Sequence, residues 1–316
     1  MSARPDAGPV PTAAPVPDAA SSRRQATLRG MGWMAAGGAL LVTMNALMKV
    51  MTAEMSPLQA QFLRYFFGLV VMLPMVVRHG LVAYRPNRLP GQLWRGVVHA
   101  AALTLFFIAL PHVPMADMTA ILFTSPIFVL AGAALVLRER VTGARWAAAA
   151  VGFAGVAIVV WPHLTGHGAG VWSLVMLASS PFFAASFLIN KALTKHDSPG
   201  VIVTWQNLVV TLIALPMALP FWTSPSAFQW AAFLVIGLLG SGAHLCMTRA
   251  FAMGDISAMQ PMRFLDLVWS SLLGLALFGD VPSVHALAGG AVIVASTIWI
   301  ARREALERAA APQSNR

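Results

Sequence analysis

Ten apolar stretches divide this chain, and each is long enough to cross a lipid bilayer as an α-helix. Only 10% of the residues are charged, against about 25% in soluble proteins. A helix of roughly 20 apolar residues spans the hydrocarbon core and satisfies its own backbone hydrogen bonds there. We therefore predict an all-α membrane protein with ten transmembrane helices, at approximately residues 30–50, 58–77, 94–112, 115–137, 145–162, 171–190, 199–219, 229–250, 256–279 and 284–301.

Most of the basic residues lie at alternate junctions between the predicted spans, beginning before the first span and ending after the tenth. They are Arg23, Arg24, Arg29, Arg78, Arg85, Arg88, Arg95, Arg138, Arg140, Arg145, Lys191, Lys195, Arg249, Arg302, Arg303 and Arg308. The opposite loops, such as 163–170 and 220–228, contain no Lys or Arg. This distribution predicts that both termini are cytoplasmic. A nucleic-acid-binding protein would instead need one contiguous basic face, so we expect no nucleic acid partner.

The chain also repeats its marker residues roughly 142 positions apart. The matched pairs are Lys49 with Lys191, Ser56-Pro57 with Ser198-Pro199, Leu73-Pro74-Met75 with Leu215-Pro216-Met217, and Glu139 with Asp280. Each half holds five spans, an odd number, so the second half enters the membrane from the opposite side to the first. We predict two inverted five-helix repeats, at 29–163 and 164–303, between a disordered tail at 1–28 and a short tail at 304–316. Such a pair can expose one central site to either side of the membrane in turn.

Several short segments, taken in their order along the chain, resemble a known family. They are Leu63-Arg64-Tyr65-Phe66 after Ser56-Pro57, Ala116-Asp117-Met118-Thr119-Ala120, Ser125-Pro126-Ile127-Phe128, Arg138-Glu139-Arg140 and Phe278-Gly279-Asp280-Val281-Pro282. Their order and duplication resemble the drug/metabolite transporter superfamily, and within it the EamA type, over about residues 30–303. The resemblance implies a carrier of small organic solutes in the bacterial inner (plasma) membrane, with a cavity between its two halves. Bacterial members similar to this chain move amino acids, S-adenosylmethionine or riboflavin.

The ninth predicted span is the richest in polar side chains. Met259, Arg263, Asp266 and Ser270 share one helical stripe, and Gln260 lies beside it. Arg263 and Asp266 are close enough in sequence to pair. Either Arg263 binds a carboxylate or phosphate of the solute and Asp266 takes a proton or cation, or the two form a neutralised pair that locks helices together. Because a structural ion pair inside the bilayer is costly compared with apolar packing, we favour the binding role.

Other polar side chains inside the predicted spans are further candidates for a solute site. His99 in the third span and His244 in the eighth occupy nearly equivalent positions in the two halves. Imidazole titrates near neutral pH, so either histidine can relay protons, or it can simply bind a neighbouring carbonyl. Asn45, Thr124 and Trp269 are weaker candidates for the lining of a cavity.

Some polar and small residues are assigned structural roles instead. Asp117 begins the fourth span, where its charge stabilises the helix N-terminus. Arg64, about two turns into the second span, either snorkels outward or binds a neighbouring carbonyl, and we favour a structural clamp over a functional role. Lys49 is interpreted as an interfacial residue. The fifth and tenth spans are rich in small residues. We expect them to pack closely against neighbouring helices or against a second copy of the chain as a homodimer.

These features predict a secondary transporter, coupled to a proton, an ion or a counter-solute, whose partners are a small-molecule solute and the lipid bilayer. The chain has no phosphate-binding loop and no cluster with metal-ligand spacing, so we expect neither ATP nor any cofactor or metal. One alternative is an intramembrane serine hydrolase, suggested by Gly240-Ser241-Gly242 with His244. No orienting carboxylate or oxyanion hole accompanies that pair. A channel is the other alternative, but no selectivity filter is evident.

Overall fold

The structure is a bundle of α-helices. The computed structural model describes residues 19–113, 118, 121–122, 124–139, 142–165, 170–279, 284–285, 287–292, 294–296 and 298–299. The helices are α1 (Ala19–Thr52), α2 (Pro57–His79), α3 (Leu89–Ala109), α4 (Ser125–Leu135), α5 (Gly143–Thr165), α6 (Gly170–Leu193), α7 (Pro199–Ala218), α8 (Ala227–Met253), α9 (Ile256–Met259) and α10 (Leu265–Phe278). Short 3₁₀ turns lie at Leu81–Tyr84, Leu110–His112, Leu219–Phe221 and Gln260–Phe264. These described residues form no β-strand, which confirms the all-α prediction.

The helices have the length and composition of membrane spans. Within the described residues, six are long and apolar enough to cross a bilayer, namely α1, α2, α3, α6, α7 and α8. Shorter apolar helical stretches lie at Val268–Phe278 and within Leu287–Ser296. The protein is therefore a multi-pass membrane protein. The predicted spans at 115–137 and 284–301 fall partly outside the described residues, and so do most of the two predicted tails.

The sequence explains where several helices begin. Pro57 and Pro199 each occupy the first turn of a helix, where their missing N–H is not needed. Ser198 precedes α7, and its side chain accepts a hydrogen bond from the backbone N–H of Val201 at 3.4 Å. Ser226 and Gln229 form a reciprocal capping box at the start of α8.

Two elements differ from the sequence-based expectations. Helix α3 begins at Leu89 rather than near residue 94, so Arg95 lies inside the helix and is fully buried. The prediction that Arg95 belongs to a basic cytoplasmic loop is therefore wrong. The predicted ninth span is not one continuous helix, because the 3₁₀ turn Gln260–Phe264 separates α9 from α10. Pro261 lies in that turn, and its lack of a backbone N–H removes one bond that a continuous α-helix would need.

The two halves of the chain are interleaved rather than side by side. Helix α1 packs along α8, α3 packs along α6 and α7, and α2 packs on both α7 and α8. Contacts between helices of the same half, such as α1 with α2, are far fewer. The interface between the halves is therefore the core of the molecule.

Equivalent helices of the two halves end at opposite ends of the bundle. Lys49, near the end of α1, contacts the carbonyl of Val113, which follows α3. Asn87, just before α3, contacts Asp197, just after α6. Because α3 runs from one end of the bundle to the other, α1 and α6 must end at opposite ends.

Candidate functional site

A cavity lies between the two halves, near the middle of the bundle. Its empty volume is about 450 Å³ when the adjoining open solvent is included. Side chains from both halves form its wall, namely Leu41, Asn45, Arg64, His99, Leu103, Phe106, Phe107, Leu122, Ser125, Phe183, Phe187, His244 and Arg263. Four of the candidates from the sequence, Asn45, His99, His244 and Arg263, are thus brought to one place.

The two histidines meet at the interface between α3 and α8. The ring centroids of His99 and His244 are 5.3 Å apart, and the rings are nearly perpendicular. His99 is held on both sides, because the Tyr65 hydroxyl lies 3.0 Å from its Nε2 and the Ser186 hydroxyl lies 3.0 Å from its Nδ1. A neutral imidazole donates through one nitrogen and accepts through the other. Hydroxyl groups can play either part, so both ring nitrogens of His99 are satisfied.

The second histidine connects the cavity to a buried arginine. Nε2 of His244 lies 3.3 Å from the amide nitrogen of Gln206 in α7. The amide oxygen of Gln206 accepts a hydrogen bond from Arg95, which also donates to the carbonyl of Ile202 at 3.3 Å. One hydrogen-bonded group thus holds His99, a second links His244 through Gln206 to Arg95, and the two groups meet where the histidine rings touch. Of these groups, only the two histidines were predicted from the sequence as candidates for the site.

Arg64 also lines the cavity, although the sequence favoured a structural clamp over a role in the site. Its guanidinium carbon lies 4.4 Å from the ring centre of Tyr65 and 5.7 Å from that of Phe107. Its Nε lies 2.7 Å from the thioether sulfur of Met44. The side chain is buried, so the charge does not reach the membrane surface.

Arg263 and Asp266 form the ion pair that their spacing predicted. The Nε of Arg263 lies 3.6 Å from a carboxylate oxygen of Asp266, and both residues are buried. The guanidinium also stacks on Phe187, 5.1 Å from the ring centre. A Cβ added at Gly38 would overlap the Asp266 carboxylate, so the backbone of α1 packs directly on this pair. Arg263 contributes to the cavity wall, whereas Asp266 lies behind it.

The remaining candidates do not line the cavity. Gln260 is buried and donates to the carbonyl of Ile256 at 3.2 Å. Thr124 is buried and donates to the carbonyl of Ile121 at 2.8 Å, one residue before the cavity-lining Ser125. Trp269 is 44% exposed on α10 and is not part of the cavity wall. The other polar residue singled out near this region, Asp117, lies outside the described residues.

The repeat places different chemistry at equivalent positions of the two halves. Tyr65 and His99 correspond by the repeat spacing to Asn207 and Ser241. The Asn207 amide donates to the Ser241 hydroxyl at 3.0 Å, just as Tyr65 contacts His99. Ser241 in turn donates to the carbonyl of Gly68 at 3.2 Å. Both of its hydrogen bonds thus hold helices together, and neither involves His244, the base that a serine hydrolase would require.

Comparison with known proteins gives the family. The sequence pattern of the EamA-like transporter family matches residues 28–161 and again residues 170–302. The chain belongs to this family. It is therefore a transporter of small organic metabolites, as the sequence predicted, and the alternative of an intramembrane hydrolase is rejected. The double match also confirms a two-repeat fold.

Several bacterial relatives of the transporter have been named by solute. It is 34% identical over 280 residues to a riboflavin transporter of Rhizobium johnstonii, covering 87% of this chain and 91% of the relative. It is 28% identical over 273 residues to an S-adenosylmethionine uptake transporter of Rickettsia prowazekii, covering 86% and 92%. A crystal structure with 20% sequence identity superposes with a TM-score of 0.70, covering 90% of this chain and 99% of that one. At that identity the likeness concerns the fold alone.

Proposed function

We propose that the protein is a secondary carrier that moves a ring-bearing metabolite by alternating access. The observation that carries the proposal is the composition of the central cavity. The rings of Phe106, Phe107, Phe183 and Phe187 line it together with the guanidinium groups of Arg64 and Arg263. Aromatic walls favour a planar ring, which can stack or pack edge to face against them. Among the predicted solute classes, flavins, aromatic amino acids and adenosyl compounds all contain such a ring.

The charge of the cavity favours some of these classes over others. Among the described residues in and around the cavity, three arginines are buried, namely Arg64, Arg95 and Arg263. They are accompanied there by one buried carboxylate, that of Asp266. S-adenosylmethionine carries a sulfonium cation, which three arginines in a medium of low dielectric would repel. The isoalloxazine ring of riboflavin is uncharged and rich in hydrogen-bond acceptors. We therefore propose a neutral or anionic ring compound, of the class that includes the solute named for the Rhizobium relative.

Two lysine contacts support alternating access. Near the end of α1, Lys49 donates to the carbonyl of Val113 at 3.0 Å and lies over the ring of Phe278. Near the end of α6, the equivalent Lys191 donates to the carbonyls of Phe251 and Gly254 at 2.6 and 2.5 Å. Each of these hydrogen bonds ties together two segments of the same half at one end of the bundle, and Lys49 also contacts the second half through Phe278. We propose that the two lysine contacts are latches that close the cavity at opposite membrane faces.

The proposed topology has ten spans, arranged as inverted five-helix repeats at 29–163 and 164–303, with both termini in the cytoplasm. The loop after α2 carries Arg85 and Arg88, and it contacts the loop after α6 through Asn87 and Asp197. By the positive-inside rule this end of the bundle is cytoplasmic. Lys191 then lies at the cytoplasmic face of a bacterial inner membrane and Lys49 at the external face.

The solute class is tested by thermal stabilisation of the purified protein with riboflavin, L-tryptophan and S-adenosylmethionine. A ligand that binds the folded state raises the unfolding temperature. We expect riboflavin or L-tryptophan to stabilise the wild type and to stabilise Arg263→Ala less. Arg249→Gln is the control, because Arg249 stacks on Trp33 outside the cavity and should leave the shift unchanged. Stabilisation by S-adenosylmethionine alone would reject the charge argument, and equal shifts in Arg263→Ala would assign Arg263 and Asp266 a purely structural role.

A further inference from the structure

Arg64 has hydrogen-bonding capacity that the protein does not use. A guanidinium offers five N–H donors, and it stays charged inside proteins. The hydrogen bond recorded for Arg64 runs from Nε to the sulfur of Met44, and a thioether is a weak acceptor. Its Nη1 is buried and has no partner among the described residues. The rings of Tyr65 and Phe107 pack on the guanidinium and hold it in position.

The other two buried arginines differ from Arg64 in their partners. Arg263 has the carboxylate of Asp266 within 3.6 Å. Arg95 donates to Gln206 and to the carbonyl of Ile202, and it is not part of the cavity wall. Of the two arginines that line the cavity, Arg64 is thus the one without a carboxylate partner among the described residues. Burying an arginine charge without a carboxylate partner costs several kcal/mol, and an anionic group of a bound ligand would offset that cost.

We infer that Arg64 is the anion subsite of the cavity and binds a carboxylate or phosphate group of the transported solute. The planar guanidinium fork matches both groups, because each presents two oxygens to two parallel N–H donors. The phenylalanine rings that line the same cavity would pack against the aromatic part of the solute. Asn45 and the histidine pair provide further polar contacts along the wall. The inference rests on the proposed function, since it assumes that the cavity binds a ring-bearing solute.

The test compares ring compounds that differ only in an anionic group. The pairs are riboflavin 5′-phosphate with riboflavin, and L-tryptophan with L-tryptophanamide. Apparent Kd values are measured by thermal stabilisation of the full-length protein. A hydrogen-bonded charge contributes enough for about a tenfold preference for the anionic member of at least one pair. The first pair reports on phosphate and the second on carboxylate, and sodium phosphate alone is included to detect binding that needs no ring.

Three variants separate recognition from stability. Arg64→Gln removes the charge and should abolish the preference, while binding of the member that lacks the anionic group changes little. Arg64→Lys keeps the charge without the planar fork and should retain part of the preference. Arg95→Gln removes another buried guanidinium, so it should lower thermal stability and yet keep the preference. The wild type alone provides a test if Arg64→Gln does not fold.

The outcomes that overturn the inference are distinct from those that overturn the proposed function. Equal affinity of the wild type for both members of both pairs rejects the anion subsite and leaves the ring-bearing solute class standing. A preference that survives in Arg64→Gln likewise rejects the assignment to Arg64. Binding of sodium phosphate that is as tight as that of riboflavin 5′-phosphate rejects a solute subsite in favour of an inorganic anion site. If no ring compound binds the folded wild type, the proposed solute class fails and the subsite fails with it.

Discussion

At the scale of single residues, the interior of this protein holds more polar chemistry than its apolar composition suggests. His99 illustrates how that chemistry is stabilised, because both of its ring nitrogens have hydroxyl partners, on α2 and α6. A buried polar atom that loses its partner costs the free energy of desolvation, whereas a matched pair costs little. The histidine is therefore a joint between helices as well as part of the cavity wall.

This joint predicts a clear effect of Tyr65→Phe. The substitution leaves one ring nitrogen of His99 unsatisfied and should lower the free energy of unfolding by about 1–3 kcal/mol. Thermal unfolding of the purified protein in detergent measures the loss. The matched control is Tyr84→Phe, because Tyr84 lies in the turn after α2, where its side chain is partly exposed, and its change should stay within about 0.5 kcal/mol. Equal effects of the two substitutions would contradict the role of the Tyr65 hydroxyl.

Sequence reasoning identified some of these residues and missed others for physical reasons. A charged or amide side chain inside an apolar span is conspicuous, and Asn45, His99, His244 and Arg263 all line the cavity, although their contact with solute remains a prediction. Tyr65 and Ser186 were missed because such residues are common in membrane helices. Arg95 was missed because it was counted as a loop residue. Its position one helical turn before His99 was the available signal.

At the scale of helices, the packing of α2 on α8 depends on one glycine. A Cβ added at Gly237 would lie 2.6 Å from the backbone carbon of Phe67 and 2.7 Å from the backbone nitrogen of Gly68. Backbone atoms cannot move aside as the end of a flexible side chain can. Small residues allow helices in a membrane to approach this closely.

We therefore expect Gly237→Ala to force α2 and α8 apart and to destabilise the protein by about 1–3 kcal/mol. The comparison is Gly32→Ala in α1, where an added Cβ meets no atom within 4 Å. That control should be neutral or stabilising by up to about 1 kcal/mol, since alanine favours a helix over glycine. The measurement is the unfolding temperature of each variant compared with that of the wild type. A destabilised Gly32→Ala with an unaffected Gly237→Ala would refute the packing argument.

The existence of the helices could be predicted from the sequence better than their interruptions. Long apolar runs fix where a chain must be helical in a membrane, and all six long helices coincide with predicted spans. The break between α9 and α10 depends on how Pro261 and its neighbours fit the surrounding helices, and a single sequence does not contain that information. The early start of α3 has the same origin, since Arg95 is tolerated inside the helix because α7 offers it acceptors.

At the scale of the whole molecule, the two proposed lysine latches predict opposite effects on the two faces of the protein. Losing a hydrogen bond to a charged group costs about 1.5–3 kcal/mol, enough to shift an equilibrium between two conformations about tenfold or more. Lys191→Ala should therefore favour opening towards the cytoplasm, and Lys49→Ala opening towards the external side. Alternating access requires one latch to be open while the other is closed.

The measurement is site-specific thiol labelling, which is possible because the chain has a single native cysteine that can be replaced. In a Cys246→Ser background, Leu103→Cys introduces one thiol into the cavity wall, and a membrane-impermeant maleimide is applied from each side of the membrane. We expect faster labelling from the cytoplasmic side in Lys191→Ala and from the external side in Lys49→Ala. Lys195→Ala is the control, because Lys195 is exposed just beyond the end of α6. Faster labelling from the same side in both lysine variants would exclude reciprocal latches.

The repeat predicted the two-fold organisation of the molecule but not the interleaving of its halves. Marker residues such as Lys49 and Lys191 reveal a duplication because they recur at a fixed spacing. Which helices touch depends on the shape of their surfaces, and an apolar face towards a neighbouring helix looks much like one towards lipid. The pairing of α1 with α8 and of α3 with α6 could therefore be seen only in the structure.

The interleaving has a consequence for how the chain is inserted into the membrane during its synthesis. Arg95 is made about a hundred residues before Gln206 and Ile202, which supply its hydrogen-bond acceptors. An arginine within a newly inserted helix costs several kcal/mol while only lipid surrounds it. Helix α3 is therefore synthesised before the acceptors that stabilise Arg95 inside the bilayer. Until α7 has been inserted, the Arg95 side chain must be stabilised by the insertion machinery or by lipid headgroups. We therefore expect the first half of the chain to be stably inserted in the membrane only after the second half has been synthesised.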